Sequence, residues 1–390
     1  MSRDLILVAL SLLTWGIGEG MFFFFQPLYL QELGADSIAI GSILGLAGLA
    51  MMLAFLPAGY LSDRIGRRPL IRLAWLMGTV STLLMAASQS LPIFVTGMVL
   101  YGATAFVTVP LNSYTTAARG RLGVSRTITL ISAFYYVGFI LGPILGGLIG
   151  EKRGLHANFQ IAAVVFIVST VIIFFIRPQP VESPSAGSSS TGVEVFKDPR
   201  YLRFVTLIFF IFFGLYLPQP LTPNFLQNER GIGLAVMGQL LAVRSTGIVV
   251  LNLVFGQLNA RVGFILSQVG MGLFVLLIWL SNSLPFYMLG YFMMGSYITA
   301  RGLTIAQSRT LIEARNMGLG YGLLETVMSL TVVLGPPLAG YLYSLNPEWI
   351  YLASLVLIGA GIIAYLVFSP LQREDLATFE EKEKAQWRPS

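Results

Sequence analysis

The sequence contains no cysteine and only one histidine among its 390 residues. The missing cysteines exclude disulfides, thiolate catalysis and thiolate-bound metals, and a single imidazole cannot form a histidine cluster. The sequence also contains no Ser-His-Asp set, no phosphate-binding glycine loop and no cofactor signature. We therefore expect no enzyme activity, no cofactor and no bound metal.

Charged residues make up 11% of the chain, whereas a soluble protein normally has about a quarter. Hydrophobic residues make up 55%, and the mean hydropathy of +0.77 predicts a membrane protein. Twelve apolar runs are long enough to cross a bilayer, and we number the predicted helices 1 to 12. The first is too long for a signal peptide and is expected to be a retained helix. The runs are 5–30, 38–62, 70–88, 91–116, 127–150, 157–176, 204–226, 235–258, 264–280, 284–308, 317–344 and 349–368.

The distribution of lysine and arginine predicts how the chain is oriented. With a cytoplasmic N-terminus, 19 of the 24 basic residues fall in cytoplasmic loops and tails, three fall in the opposite loops and two lie inside helices. Cytoplasmic loops of membrane proteins carry this excess of basic residues, so we expect both termini on the cytoplasmic side of the cell (inner) membrane. The same distribution accounts for the net charge of +6, and no nucleic-acid partner is expected.

The sequence contains an internal repeat of about half its length. Residues 88–92, SQSLP, recur 193 residues later as SNSLP, and the pair Gly142-Pro143 recurs at the same offset as Gly335-Pro336. Such echoes predict two homologous halves of six helices each. A stretch rich in Pro, Ser and Gly between them is typical of a flexible linker. The expected division is 1–177 (N-terminal bundle), 178–203 (cytoplasmic linker), 204–370 (C-terminal bundle) and 371–390 (cytoplasmic tail).

Two motifs resemble those of the major facilitator superfamily of secondary transporters. GYLSDRIGRRP, between helices 2 and 3, matches its signature loop, and GFILGPILGG, in helix 5, is similar to a motif of its antiporter branches, chiefly drug:proton exporters. The resemblance implies an all-α membrane fold of twelve helices in two pseudo-symmetric six-helix bundles. It also implies gating roles for both motifs. The marked residues are Gly59, Asp63, Arg64, Gly66, Arg67 and Arg68 in the first motif, and Gly138, Gly142, Pro143, Gly146 and Gly147 in the second.

Each motif also has a simpler structural interpretation. In the first, Asp63 among three arginines can form an ion-pair cluster that favours one conformation, although a positive-inside anchor explains the arginines equally well. The second half has Ala260 at the position of Asp63, so any such cluster is one-sided. In the second motif, glycines four residues apart let another helix approach closely, and Pro143 favours a bend. Whether that contact also prevents leakage is left open.

Four charged residues are predicted inside the membrane, where each costs at least about 2.5–3.5 kcal/mol and therefore needs a partner or a function. Glu19 lies near the middle of helix 1 and is the candidate for proton coupling, whereas Arg244 and Arg301 are candidates for binding a substrate. Glu325 lies closer to the cytoplasmic end of helix 11 and is a candidate for a gate with Arg309 or Arg315. The structural alternative is two buried ion pairs, each joining one glutamate to one intramembrane arginine.

Polar and aromatic residues inside the helices could line a solute cavity, although most could equally hold helices together. The resemblance implies that helices 1, 4, 7 and 10 line this cavity, that 2, 5, 8 and 11 flank it, and that 3, 6, 9 and 12 face lipid. The candidate substrate-binding residues, beside the two arginines, are Gln26, Asn112, Tyr135, Tyr136, Tyr216, Asn252 and Gln307.

Two pseudo-symmetric halves with charge buried at mid-depth predict a secondary transporter that works by alternating access. We expect a monomer in the lipid bilayer that exports a small organic or drug-like molecule in exchange for protons. The alternatives are a proton-coupled transporter of an organic anion or a sugar-like metabolite and, less favoured, a membrane receptor. Drug exporters of this type usually carry an arginine in helix 4 where this chain has Thr96, which weakens the resemblance to them.

Overall fold

The structure, a computed structural model, describes residues 2–119, 123–179, 198–309, 311–312 and 317–369. Every regular element in these ranges is helical, and they contain no strand. This confirms the predicted all-α fold. Most of the predicted linker and all of the predicted tail, residues 371–390, lie outside the described residues, as do the side chains of residues 56–63, 124–125 and 317–318.

The first six predicted helices are present, and two of them change to 3-10 geometry for part of their length. Helix 1 does so at its run of phenylalanines, and helix 4 does so after Gly102. The bounds are Arg3–Phe22, Phe23–Phe25 (3-10) and Gln26–Glu32 for helix 1, Ser37–Ile65 for helix 2, Arg67–Ala87 for helix 3, Leu91–Gly102, Ala103–Val107 (3-10) and Thr108–Ala117 for helix 4, Val124–Arg153 for helix 5 and Leu155–Phe174 for helix 6.

The second six helices are also present. Helix 7 is interrupted where Pro218 and Pro220 remove backbone donors, and helix 10 is interrupted at Gly295. The bounds are Pro199–Tyr216 and Thr222–Asn228 for helix 7, Leu234–Phe255 for helix 8, Ala260–Leu280 for helix 9, Leu284–Met294 and Ser296–Ser308 for helix 10, Met317–Leu345 for helix 11 and Trp349–Phe368 for helix 12. Eleven of the twelve are individually long and apolar enough to cross a membrane, and the interrupted helix 10 supplies the twelfth.

The two halves meet where helix 2 begins and helix 11 ends. Gly41 lies against the carbonyl oxygen of Pro336, and Gly340 lies against that of Ser37, so a Cβ at either glycine would collide with the facing helix. The echo of the first half's Gly-Pro pair in helix 11 therefore forms part of this contact between halves. We call the side of the molecule at which helix 2 begins the closed face, and the opposite side the open face.

Helices 5 and 8 make a second close contact towards the closed face. Gly147 of helix 5 packs against the backbone of Leu234, and Gly238 of helix 8 packs against the carbonyl oxygen of Pro143. The carboxylate of Glu151 accepts a hydrogen bond of 3.2 Å from the backbone N–H of Ala235 at the start of helix 8. The helix 8 N-terminus has no side-chain cap of its own, so a residue of the other half supplies one.

Amide side chains link the two halves at the closed face. The Oε1 atom of Gln31, at the end of helix 1, accepts hydrogen bonds from Asn224 Nδ2 at 2.7 Å and from Asn228 Nδ2 at 3.1 Å. Gln31 Nε2 donates to Asn228 Oδ1 at 3.1 Å, and Asn224 also donates to the carbonyl oxygen of Pro27. We call Gln31, Asn224 and Asn228 the amide cluster.

Candidate functional site

The site is built around Glu19, which lies on helix 1 one turn after Trp15. Its Oε2 atom accepts a hydrogen bond of 2.9 Å from the hydroxyl group of Tyr135 on helix 5. The side chains of Tyr101 and Trp15 also interact with this carboxyl group. In the part of the chain that the structure describes, Glu19 forms no salt bridge. Its partners are therefore neutral hydrogen-bond donors, which can hold a carboxyl group in either protonation state.

Glu19 borders a cavity of about 450 Å³ in the N-terminal half. The cavity extends from Glu19 to Asn112 and Thr115, near the open-face end of helix 4. Four of the residues predicted to form the site line it: Glu19, Asn112, Tyr135 and Tyr136. The space is large enough for a small organic molecule, and it connects the buried carboxyl group with the open side of the molecule.

Aromatic rings form much of the wall beside Glu19. The Trp15 indole lies 4.8 Å from the Trp75 ring, 4.5 Å from the Phe166 ring and 6.1 Å from the Tyr101 ring, measured between centroids. Such a wall can stack against a flat apolar solute while the tyrosine hydroxyls and the carboxyl group supply the polar contacts. Sequence reasoning missed Trp15 and Tyr101. The spacing of four residues between Trp15 and Glu19, which places both on one helix face, was the signal that could have identified Trp15.

Arg244 lies on the other half of the molecule, in helix 8. Its guanidinium carbon is 4.9 Å from the centroid of the Phe24 ring on helix 1, a cation–π contact across the two halves. Tyr216, Tyr291 and Tyr297 lie within electrostatic range of the same group. The Nε atom is buried and has no hydrogen-bond partner, and Arg244 forms no ion pair with any described residue. The side chain is thus a buried cation held by aromatic rings rather than by a carboxylate.

Arg301 of helix 10 has a different environment, because it forms a salt bridge with Glu325 of helix 11. Both side chains are partly exposed, at 32% and 40%. Of the two ion pairs considered as the structural alternative, one is therefore present within the C-terminal half. The alternative gate between Glu325 and Arg309 is not observed in the described residues, where Arg309 is exposed at the end of helix 10, and Arg315 lies outside those residues.

The remaining candidate residues have separate environments. Gln307 donates a hydrogen bond to the Ala260 carbonyl oxygen and accepts one from the Tyr365 hydroxyl group. It therefore joins helices 9, 10 and 12, which is the structural alternative to substrate binding. The Tyr216 ring lies 5.9 Å from the Tyr297 ring at an interplanar angle of 46°, close to Arg244. Gln26 is buried at the start of the segment Gln26–Glu32, whereas Asn252 is exposed near the end of helix 8, and neither lines the cavity around Glu19.

The glycine motif of helix 5 brings two helices close to it. Gly138, Gly142 and Gly146 pack against the backbone of helix 1 on either side of Glu19, so that Cβ atoms there would collide with it. Gly147 instead contacts helix 8 of the other half, and Pro143 contacts both helices, Gly20 of helix 1 through its ring and Gly238 of helix 8 through its carbonyl oxygen. The motif therefore fixes Tyr135 next to Glu19 and contributes to the contact between halves.

The loop between helices 2 and 3 is only partly described. Gly66 has a φ of +89° and separates the two helices, a conformation that favours glycine. Arg67 donates to the carbonyl oxygen of Ser113 at the end of helix 4, and Arg68 has a buried Nε atom without a hydrogen-bond partner. Arg64 is exposed. The surroundings of Gly59 and Asp63 lie outside the described residues, so the predicted Asp63 cluster is not tested.

Comparisons with known proteins agree on one family. The sequence profile described as Major Facilitator Superfamily matches residues 8–264 and 204–389. The class B tetracycline resistance protein of Escherichia coli is 28% identical over 89% of this chain and 90% of its own length, and the class C protein of the same organism is 27% identical over 95% and 97%. A crystal structure of a point variant of the nucleoside transporter NupG superposes with a TM-score of 0.80 at 15% identity, covering 94% of this chain and 99% of that one.

Proposed function

The chain belongs to the major facilitator superfamily, and from that premise we propose that it exports a small organic, drug-like solute in exchange for protons. It is a multi-pass membrane transporter and not an enzyme. Efflux is supported by full-length relatives named as tetracycline resistance proteins. The helix 5 motif, which resembles that of antiporters, supports the same direction.

The observation that carries the proposal is the environment of Glu19. A carboxyl group that borders a cavity, and whose described partners are tyrosine and tryptophan rather than a cation, can gain and lose a proton without breaking an ion pair. Ionisation in so buried a position is costly unless a cation or water enters. Binding of a proton or a cationic solute at Glu19 is therefore expected to be mutually exclusive, which is the requirement for exchange.

Alternating access gives this competition a direction. The excess of basic residues in the loops supports a cytoplasmic open face, and in that orientation the transporter would be open to the cytoplasm. Solute entering from there would displace the proton of Glu19. The two halves would then separate at the closed face, where helices 2 and 11, helices 5 and 8 and the amide cluster now join them. Protonation from outside would release the solute.

A second candidate function is proton-coupled transport of an organic anion, and one observation favours it. Arg244 is a buried guanidinium without a carboxylate partner among the described residues, and such a group is suited to binding a carboxylate or phosphate of a solute. If only this charge contacted the solute, the protein would select anions, and the coupling proton on Glu19 would travel separately.

The proposal is tested by transport in proteoliposomes with an imposed pH gradient. Labelled tetracycline is one probe, in a panel of lipophilic cations, anions and amphoteric drugs. We expect at least one compound to accumulate when the lumen is acidic, and accumulation to stop when nigericin collapses the gradient. The proposal is overturned if no compound moves, or if movement is the same with and without the gradient.

A further inference from the structure

The molecule contains two buried charges of opposite sign that lack a charged partner among the described residues. Glu19 of the N-terminal half bonds only to neutral groups, and Arg244 of the C-terminal half contacts only aromatic rings. The other intramembrane arginine, Arg301, is already neutralised by Glu325 within its own half. Each half therefore contributes one uncompensated charge, and the two charges are complementary.

Helix geometry places these two charges at a similar depth. Gly238 contacts Pro143 near the closed face, and this contact gives both halves a common reference level. Arg244 follows Gly238 by six residues, or about 9 Å along helix 8. Glu19 directly precedes Gly20, which packs against Pro143, and its carboxyl group bonds to Tyr135, whose backbone lies eight residues, or about 12 Å, further towards the open face along helix 5. Both charges thus lie just below the closed contact, on its open side.

Aromatic rings occupy the space between them. Phe24, which the Arg244 guanidinium contacts, lies 5.3 Å from the Phe139 ring, and Phe139 lies 5.5 Å from the ring of Tyr135. A continuous series of rings therefore connects the Glu19 carboxyl group with the Arg244 guanidinium. A solute that reaches from one charge to the other would lie along this aromatic surface.

We propose that the substrate class is an amphoteric aromatic solute, whose basic amine binds Glu19 and whose carboxylate binds Arg244 while its ring system stacks on Phe24, Phe139 and Tyr135. This proposal rests on the transport function proposed above and specifies its substrate. The carboxylate would accept paired hydrogen bonds from the guanidinium, including its now unpartnered Nε–H. One solute would then satisfy both buried charges and hold the two halves together.

The alternatives use only one of the charges. A purely cationic solute would leave the Arg244 guanidinium uncompensated, and a purely anionic solute would leave the ionised Glu19 carboxylate uncompensated, each at a cost in desolvation once the solute covers it. When one member of a buried charge pair is removed, much of the lost affinity is the cost of leaving the other charge buried and unpaired. The amphoteric solute is the class for which no such loss arises.

The test uses three probes that share one scaffold. A fluoroquinolone carries a piperazine amine at one end and a carboxylate at the other; its methyl ester keeps only the amine charge, and its N-acetyl derivative keeps only the carboxylate. Binding to the purified full-length protein is measured by isothermal titration calorimetry. We expect the parent compound to bind about 30-fold or more tightly than either derivative, the effect of losing one buried charge pair.

Substitutions then assign each charge to its residue. Glu19→Gln should abolish the preference for the parent over the N-acetyl compound, and Arg244→Gln should abolish its preference over the methyl ester. The matched controls are Arg230→Gln and Glu348→Gln. Arg230 makes a similar cation–π contact, 5.1 Å from Phe225, and Glu348 accepts a hydrogen bond from the Trp279 indole, but neither residue belongs to the series of rings that joins Glu19 to Arg244. Arg244→Lys keeps the charge but not the paired hydrogen bonds, so it should retain part of the preference that Arg244→Gln loses, and this partial rescue shows that the loss is not a folding defect.

The proposal is overturned if the methyl ester binds as tightly as the parent compound, if the N-acetyl compound does so, or if none of the three binds. These outcomes leave the proposed transport function standing when tetracycline or another compound of the panel still accumulates in response to the pH gradient. Conversely, if gradient-driven flux is absent but the charge preferences are present, the transport proposal fails and the binding inference stands.

Discussion

Removing the amide of Gln31 should release the closed face. This side chain makes three of the hydrogen bonds that join helix 1 to helix 7, two as an acceptor and one as a donor. Gln31→Ala deletes all three. The neighbouring contacts of helices 2 and 11 are unaffected by the substitution, so the two halves should still fold and pack at their glycine contacts.

The magnitude follows from the number and exposure of these bonds. One protein hydrogen bond contributes about 0.5–1.5 kcal/mol net, because water replaces it when it breaks. Two of the three involve the exposed Asn228 and belong at the low end, whereas the bond from Asn224 is part-buried. The sum is about 1–3 kcal/mol, which corresponds to a fall of about 5- to 150-fold in the closed-face population relative to the separated one.

The assay is the labelling rate of a cysteine at the closed face. The chain has no cysteine, so Ala35→Cys introduces a single thiol. Ala35 is 6% exposed and lines a small cavity of about 200 Å³ next to the amide cluster. A membrane-impermeant maleimide added from outside should label it slowly in the parent and at least about 5-fold faster with Gln31→Ala.

Gln227, on helix 7, provides a matched control. Residues 27–31, PLYLQ, are echoed by residues 223–227, PNFLQ, so that Gln227 corresponds to Gln31; its side chain makes no hydrogen bond within the described residues. Gln227→Ala should leave the labelling rate unchanged. Equal rates in the parent and in Gln31→Ala would refute the role given to the amide cluster.

Three further predictions concern the ion pair, the glycine motif and the orientation. Glu325→Gln leaves Arg301 without its carboxylate partner and should lower the free energy of unfolding by about 1–3 kcal/mol. The loss is smaller than for a fully buried pair because both side chains are partly exposed. The double variant with Arg301→Gln should recover much of this loss, as measured by thermal unfolding. Gly142→Ala forces helix 1 away from helix 5 and should destabilise by about 1–3 kcal/mol, whereas Gly322→Ala, which meets no atom within 4 Å, should not destabilise. Ser189→Cys, in the predicted linker, should react only from the cytoplasmic side; labelling from outside in intact cells would contradict the orientation.

The helices were predictable from the sequence because a bilayer requires long apolar runs, and each of the twelve runs coincides with a helix or an interrupted helix. The interruptions within helices 1, 7 and 10 were harder to predict from the sequence. The prolines of helix 7 indicate its break. The change to 3-10 geometry at Phe23–Phe25 has no such signal, because the run of phenylalanines has no periodicity. The break at Gly295 occurs where helix 10 packs against the backbone of helix 8, a contact that the sequence does not show.

The site was predictable only in part. Glu19 and Arg244 are identifiable because charge is rare and costly inside a membrane. Their partners are not, because Tyr135 and Phe24 reach them from helices whose packing the sequence does not specify. For the same reason the pairing of Arg301 with Glu325 stayed one alternative among several until the two helices were placed side by side.

The central claim is that Glu19 carries the coupling proton, and Glu19→Gln tests it most directly. The amide keeps the size and hydrogen-bonding capacity of the protonated carboxyl group but cannot release a proton. In proteoliposomes, we expect that this variant no longer accumulates a transported compound against its gradient. Exchange of labelled for unlabelled compound should continue at concentrations high enough to offset the lost contact with Glu19, and Glu348→Gln should behave as the parent. Accumulation by Glu19→Gln with unaltered dependence on pH would show that another group carries the coupling proton.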